Sequence, residues 1–223
     1  KLKTKRLNLS PWNNYRLKAS KCKKIVKIAM IGKYVDLADS YKSLNEALYH
    51  AGIINNRIVE ITYLDSEKIT KKTVKKLSKM DGILVPGGFG NRGIEGKVLA
   101  AEYARVNNVP YLGICLGMQI SVIEFARNVL KLKNANSTEF NNKTRHPVVA
   151  LVNEWRDSSG KKIISDKKNM GGTMRLGSQG CALEKKSLAY KMYKKSVINE
   201  RHRHRYEVNN GLIELFDASG LVF

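Results

Sequence analysis

The chain has 223 residues, enough for one large domain or two small ones, and its 43% apolar content is ordinary for a globular protein. The composition therefore predicts a folded chain and not an intrinsically disordered one. Lys and Arg number 41 against 19 Asp and Glu, which gives a net charge of +22. Such an excess suggests anionic partners such as nucleic acid, anionic lipid or phosphorylated ligands, without selecting among them.

Much of the positive charge lies at the start of the chain, where residues 1–27 carry ten Lys or Arg and no Asp or Glu. A basic arm can bind nucleic acid by releasing counterions. However, the sequence has no zinc-finger spacing, no helix-turn-helix pattern and no aromatic platform for RNA. We therefore interpret the charge as a solvated basic surface and do not expect a nucleic-acid partner.

The three cysteines, Cys22, Cys115 and Cys181, are far apart and form no C-x-x-C pair. This pattern indicates a reducing compartment and predicts neither a disulfide framework nor a metal site. The sequence contains no apolar run typical of a signal peptide or a membrane span. These observations predict a cytoplasmic protein with no membrane association.

Strands and helices alternate along most of the chain. Residues 1–24 have no sustained apolar period, so we interpret them as a basic interdomain linker or arm that precedes a domain at 25–223. The alternation predicts βαβ units, hence an α/β fold with a mostly parallel open sheet and helices on both faces, and a strand-rich part after residue 145. The predicted elements are a strand at 25–31, a helix capped by Ser40 and ending at Gly52, a strand at 58–64, a helix at 70–80, a strand at 82–86, a helix at 94–107, a strand at 109–114, a helix at 118–130 and a strand at 148–152.

The turn 113–117 reads G-x-C-x-G between a predicted strand and a predicted helix. It is the cysteine counterpart of the nucleophile elbow, in which glycines permit a tight turn that projects the central side chain. Cys115 would then lie at a helix N-terminus, where the helix dipole is expected to lower the pKa of the thiol. We predict that Cys115 is a nucleophile; the alternative is a small buried residue that fills space.

A second turn, the glycine-rich loop 86–93, also follows a strand. Because Gly87 and Gly88 lack a Cβ, the backbone can approach a substrate closely, so the N–H groups near Gly88 and of Leu116 could form an oxyanion hole. The loop lacks both the Walker ending and the full G-x-G-x-x-G spacing, which makes phosphate binding the weaker interpretation.

These two turns together resemble those of the class I glutamine amidotransferases. Other segments resemble the C-terminal glutaminase domain of the CTP synthase family, and the resemblance covers about residues 25–220. The segments are Gly32–Val35, Asp39–Ser43, Asn134–Phe140, Gly171–Gly177 and Glu200–Asn209.

The resemblance implies that Cys115 attacks the side-chain amide of L-glutamine, releasing ammonia through a thioester. It implies that glutamine binds at Gly88 and at residues 116–119 (Leu116, Gly117, Met118 and Gln119), with Glu139 on the α-amino group and Arg205 on the α-carboxylate. Opposite charges of this kind form strong charge-assisted hydrogen bonds.

The resemblance also implies partners that bind elsewhere. In the family, the ammonia travels to an N-terminal synthetase domain that uses ATP, UTP and Mg²⁺, the whole enzyme is a homotetramer and GTP is an allosteric effector. The region corresponding to the GTP contacts includes Lys168 within residues 156–169, but the match is loose and we assign no effector residue.

The family's general-base histidine and its carboxylate lie in an F-H-P-E segment that this sequence does not contain. We expect either that the chain is truncated before that motif or that the protein is a damaged copy. In both cases the 223 residues should bind glutamine weakly and hydrolyse it little, and we assign no base role to His202 or His204. Two alternatives stay open: another hydrolase of the same fold, and a catalytically silent basic binding module.

Overall fold

The described residues form two compact units. The structure is a computed structural model that describes residues 7–151, 154–156, 162–164 and 174–223. Unit 1 comprises the described residues of Lys1–Val85 together with Arg92–Leu112. Unit 2 comprises Pro86–Asn91 and the described residues of Gly113–Phe223.

Unit 1 is built around a four-stranded sheet. The strand order is β2-β1-β3-β4, and β1 pairs in parallel with both β2 and β3. The elements are α1 (Ser10–Ser20), β1 (Lys24–Gly32), α2 (Lys42–Ile54), β2 (Arg57–Asp65), β3 (Gly82–Val85), α3 (Ile94–Val106) and β4 (Tyr111–Gly113), whose last residue is the first of unit 2's main segment.

Both faces of this sheet are covered by apolar side chains from helices. On one face Ala29 and Ile83 pack in a cluster with Ala100 and Ala104 of α3. On the other face Met30 and Leu84 pack with side chains of α2. Because successive side chains of a strand point to opposite faces, short apolar runs in β1 and β3 can supply both clusters. The predicted α/β class, with helices on both faces of a parallel sheet, is confirmed.

The helix α1 was not predicted, because residues 1–24 show no apolar period. The structure explains this, since none of its side chains is buried. It is instead held at the side of α2, where Lys18 Nζ donates to the carbonyl of Ile54 at 2.7 Å and the Tyr15 ring lies edge-on to His50 at 5.7 Å. A helix that is held by a few polar and ring contacts, and that buries no apolar face, shows no hydrophobic stripe in its sequence.

Two other predicted helices differ from those in the structure, one in its helix type and one in the residue at which it begins. The stretch predicted as a helix at 70–80 contains only a 3₁₀ segment, Val74–Lys79. Ser40 does not cap α2, because it lies inside a 3₁₀ turn, Ala38–Tyr41, that precedes the helix. The hydroxyl of Tyr41 accepts a hydrogen bond from the Lys33 amide at 3.2 Å, so this turn is fixed by a tertiary contact that propensity does not reveal.

Unit 2 is richer in strands, as expected for residues after 145. Its described strands form a three-stranded sheet ordered β11-β6-β5 and two antiparallel pairs, β10-β9 and β7-β8. The rings of Phe125 in α4 and Phe216 in α6 lie 6.1 Å apart. The elements are α4 (Leu116–Asn128), β5 (Asn136–Ser137), β6 (Pro147–Leu151), β7 (Glu154–Arg156), β8 (Lys162–Ile164), β9 (Arg175–Ala182), α5 (Leu188–Tyr193), β10 (Val197–His204), β11 (Tyr206–Val208) and α6 (Ile213–Ala218).

Within the described part of the chain, no helix combines the length and the apolar character that crossing a membrane would require.

Candidate active site

Cys115 occupies a strained turn between β4 and α4. Its φ is +52° with ψ of −106°, outside the regions that residues with a side chain ordinarily adopt. The turn is closed by a hydrogen bond from the Gly117 amide to the Ile114 carbonyl at 2.9 Å, and the Cys115 carbonyl accepts the Gln119 amide at 3.1 Å. The tight, strained geometry expected of the G-x-C-x-G pattern is therefore present.

Gly113 is required by the close approach of the first turn of α4. A Cβ at this position would lie 2.5 Å from the Gly117 carbonyl oxygen and 2.5 Å from the Met118 amide nitrogen, which are backbone atoms. Only glycine avoids that collision.

The glycine-rich loop lies directly beside the elbow. A Cβ built on Gly87 would be 3.5 Å from the Cβ of Cys115, and one built on Gly88 would be 3.4 Å from a methyl carbon of Leu116. The two turns that sequence analysis singled out are thus neighbours within unit 2. The role of the Gly88 and Leu116 amides as an oxyanion hole stays a prediction.

A cavity of about 380 Å³ opens at Cys115 and lies within unit 2. It brings together five of the predicted site residues, from four separate segments of the chain. Its lining consists of Gly88, Phe89, Cys115, Gln119, Glu139, Met174, Arg203, His204, Arg205 and Tyr206.

The other three predicted glutamine contacts do not line this cavity. Leu116 is almost fully buried, Met118 is 39% exposed, and Gly117 belongs to the first turn of α4. Their contact with glutamine stays a prediction; the backbone groups at the N-terminus of α4 lie next to Cys115.

The carboxylate of Glu139 is held in place by its neighbours. One of its oxygens accepts a hydrogen bond from the Gly90 amide at 3.0 Å, and the Glu139 amide donates to the buried hydroxyl of Ser137 at 3.1 Å. The glycine-rich loop and the segment after β5 are thereby joined. A fixed carboxylate in a cavity is suited to binding an ammonium group.

The ionisation of Cys115 differs from the expectation. Burial raises the pKa of the thiol, and the negative charge of Glu139 adds to the rise. The hydrogen bond from the Leu116 amide acts in the opposite direction but does not outweigh burial. The prediction of a lowered thiol pKa is therefore wrong, because burial raises the pKa by more than the hydrogen bond from the Leu116 amide lowers it.

Five lining residues were missed as site residues: Phe89, Met174, Arg203, His204 and Tyr206. The sequence offered a signal for three of them, because Arg203, His204 and Tyr206 are immediate neighbours of Arg205 in the segment Glu200–Asn209 that carried the resemblance. Burial lowers the pKa of His204, so its imidazole is neutral at pH 7. Its Nδ1 lies 3.0 Å from the Tyr206 carbonyl.

Some predicted features fall outside the described residues. Lys168, most of the 156–169 region and residues 171–173 of the Gly171–Gly177 motif are among them. Among the residues that are described, no group of three or more His, Cys, Asp or Glu side chains could hold a metal ion.

The comparisons with known proteins fit this site. The family model for glutamine amidotransferase class I matches residues 36–221. The chain therefore belongs to the class I glutamine amidotransferase family. Among solved structures, it is similar to the Trypanosoma brucei CTPS glutaminase domain with bound acivicin, at 41% sequence identity and a TM-score of 0.75. That match covers 87% of this chain and 72% of the other.

Proposed function

We propose that this chain is the glutamine-hydrolysing domain of a CTP synthase. One observation carries the proposal: the strained Cys115 shares a single cavity with a carboxylate, Glu139, and a guanidinium, Arg205. An α-amino acid carries an ammonium and a carboxylate, which these two charges complement. The T. brucei domain that the chain resembles is described with bound acivicin.

The proposed reaction is hydrolysis of the side-chain amide of L-glutamine. The Cys115 sulfur attacks the amide carbon, and the N–H groups near Gly88 and of Leu116 stabilise the developing oxyanion. The intermediate collapses to a γ-glutamyl thioester, and the nitrogen leaves as ammonia with the proton that the thiol gave up. Water then attacks the thioester to give glutamate and the free thiol.

The raised pKa of Cys115 means that the thiol must be deprotonated as it attacks, since little thiolate is present at pH 7. In the family this proton is taken by the histidine of the F-H-P-E segment. We assign that role neither to His202 nor to His204.

The ammonia that the glutamine site releases would be used by another domain. We propose that it passes to a synthetase domain that aminates UTP with ATP and Mg²⁺, that GTP activates the enzyme, and that the whole enzyme is a tetramer. In an enzyme containing both domains, Cys115→Ala should abolish glutamine-dependent CTP formation and leave ammonium-dependent formation intact. Loss of both would argue against this division of labour.

The test for the glutamine site is labelling with 6-diazo-5-oxo-L-norleucine, a diazo-ketone analogue of glutamine, followed by peptide mapping. We expect modification at Cys115 that excess L-glutamine blocks and excess D-glutamine does not. Cys22 and Cys181 are internal controls, because both are half-buried free thiols outside the cavity. Equal modification of all three cysteines, or no protection by L-glutamine, would overturn the proposal.

A further inference from the structure

Tyr206 lines the cavity and carries a phenol to which the proposed reaction assigns no role. Tyr206 begins β11, directly after Arg205, and lines the cavity with Cys115 and Glu139. Burial raises the pKa of the phenol, the charge of Glu139 raises it further, and the charge of Arg205 lowers it. The phenol therefore lies within the fields of both charges and is a protonated O–H donor at neutral pH.

The backbone of Tyr206 is held from two sides. Its carbonyl oxygen accepts a hydrogen bond from Gln119 Nε2 at 2.8 Å and faces Nδ1 of His204 at 3.0 Å. Because a carbonyl can only accept, that ring nitrogen must carry its hydrogen. Gln119 is 4% exposed and lies one helical turn after Cys115 in α4. The backbone of Tyr206 is thus anchored to the helix that follows the thiol.

The hydroxyl itself makes no hydrogen bond to any protein group in the part of the chain that the structure describes. None of those described residues uses the donor hydrogen of the phenol. A bound α-amino acid would place its ammonium on Glu139. The ammonium is itself a donor, so the phenol of Tyr206 has no acceptor on that part of the ligand. Its carboxylate, with two oxygens and about four acceptor sites, would not be saturated by one guanidinium.

We infer that Tyr206 is a specificity-determining residue that donates its hydroxyl hydrogen to the α-carboxylate of glutamine beside Arg205. The inference rests on the proposed function, since it names a contact of the same substrate. It assigns the carboxylate two donors from adjacent residues, one charged and one neutral. Ligands that lack this carboxylate gain nothing from the phenol.

The experiment combines one mutation with ligands that each lack one group. Dissociation constants are measured by calorimetry for L-glutamine, for glutaramate, which lacks the α-amino group, and for 4-aminobutanamide, which lacks the α-carboxylate. They are measured on the unmodified chain, on Tyr206→Phe and on Tyr190→Phe. Tyr190 is a matched control because it is half-buried in α5, outside the cavity.

We expect Tyr206→Phe to weaken L-glutamine and glutaramate about 10-fold to 100-fold, the range for a hydrogen bond to a charged group. Binding of 4-aminobutanamide should be unchanged, and Tyr190→Phe should change none of the three. Unaltered binding of L-glutamine, an equal loss for all three ligands, or a loss confined to 4-aminobutanamide would each overturn the inference. Thermal unfolding of both variants checks that folding is intact.

Failure of the proposed function gives a different result. In that case the unmodified chain binds none of the three ligands and Cys115 is not labelled by the diazo-ketone, which overturns both proposals. If labelling and L-glutamine binding persist while Tyr206→Phe has no effect, only the inference about Tyr206 fails.

Discussion

Substitution of Gly113 by Ala is the most direct perturbation of the elbow. The added methyl would lie 2.5 Å from the Gly117 carbonyl oxygen and 2.5 Å from the Met118 amide nitrogen, about 1 Å inside ordinary van der Waals contact. Both atoms belong to the backbone of the first turn of α4, so no side chain can rotate away. Either the turn opens or α4 shifts, and both movements displace Cys115.

The expected cost follows from that overlap. Inserting a methyl group into a packed site costs about 1 to 3 kcal/mol, and rigid backbone neighbours place Gly113→Ala at about 3 kcal/mol or more. For a chain of this length such a loss lowers the melting temperature by about 6 to 12 °C. Labelling of Cys115 by the diazo-ketone should also slow at least tenfold, because the thiol leaves its position at the cavity.

The assay is thermal and urea unfolding together with the labelling rate, and Gly180→Ala is the control. Gly180 lies in β9, where an added Cβ would meet only the side-chain oxygen of Asn199 at 3.8 Å. That variant should keep its stability and its labelling rate. If Gly113→Ala proves no more destabilising than Gly180→Ala, the structural requirement for glycine at the elbow is refuted.

Three further predictions concern charge. Burial, together with the positive charges of Lys33 and Arg92, lowers the pKa of Lys97 to about 8, so this charge opposes folding most strongly below pH 8 and less as the pH approaches 10.5. Lys97→Met should therefore raise the free energy of unfolding at pH 7 by about 3 kcal/mol. A gain in stability that does not shrink between pH 8 and 10.5 in urea unfolding would contradict this. The raised pKa of Cys115 predicts that its alkylation by iodoacetamide is still accelerating at pH 9, whereas a plateau below pH 9 would be inconsistent with a desolvated thiol. Arg175 joins β9 to β11 through a bidentate, largely buried ion pair with Glu207, with N–O distances of 2.9 to 3.2 Å. Arg175→Met should lower the free energy of unfolding by about 2 kcal/mol, and Glu207→Gln added to that variant should lower it little further. Strictly additive costs of the two mutations would show that the pair does not interact.

The central elements of unit 1 could be predicted because their signals are local. The apolar run of β1 and the glycine at its end, and the helical spacing of α3, are written in consecutive residues. The elbow was predictable for the same reason, since two glycines flank Cys115 within five residues. In each case the sequence pattern and the packing requirement agree.

The features that escaped prediction depend on contacts between distant residues. The helix α1 buries nothing, so no periodicity marks it. Tyr206 and Arg203 join a cavity whose nucleophile lies about 90 positions earlier, and only the folded unit 2 brings them together. The direction of the Cys115 pKa was misjudged because the helix dipole is a local property, whereas burial is a property of the whole unit.

The central claim is that the unit 2 cavity holds L-glutamine with its amide at Cys115. The most direct measurement is a crystal structure of the chain after reaction with 6-diazo-5-oxo-L-norleucine. We predict continuous density from Cys115 Sγ to the label, with the α-ammonium at Glu139 and the α-carboxylate at Arg205. A label bonded to Cys22 or Cys181, or a Cys115 adduct whose α-amino and α-carboxylate groups point out of the cavity, would contradict the account.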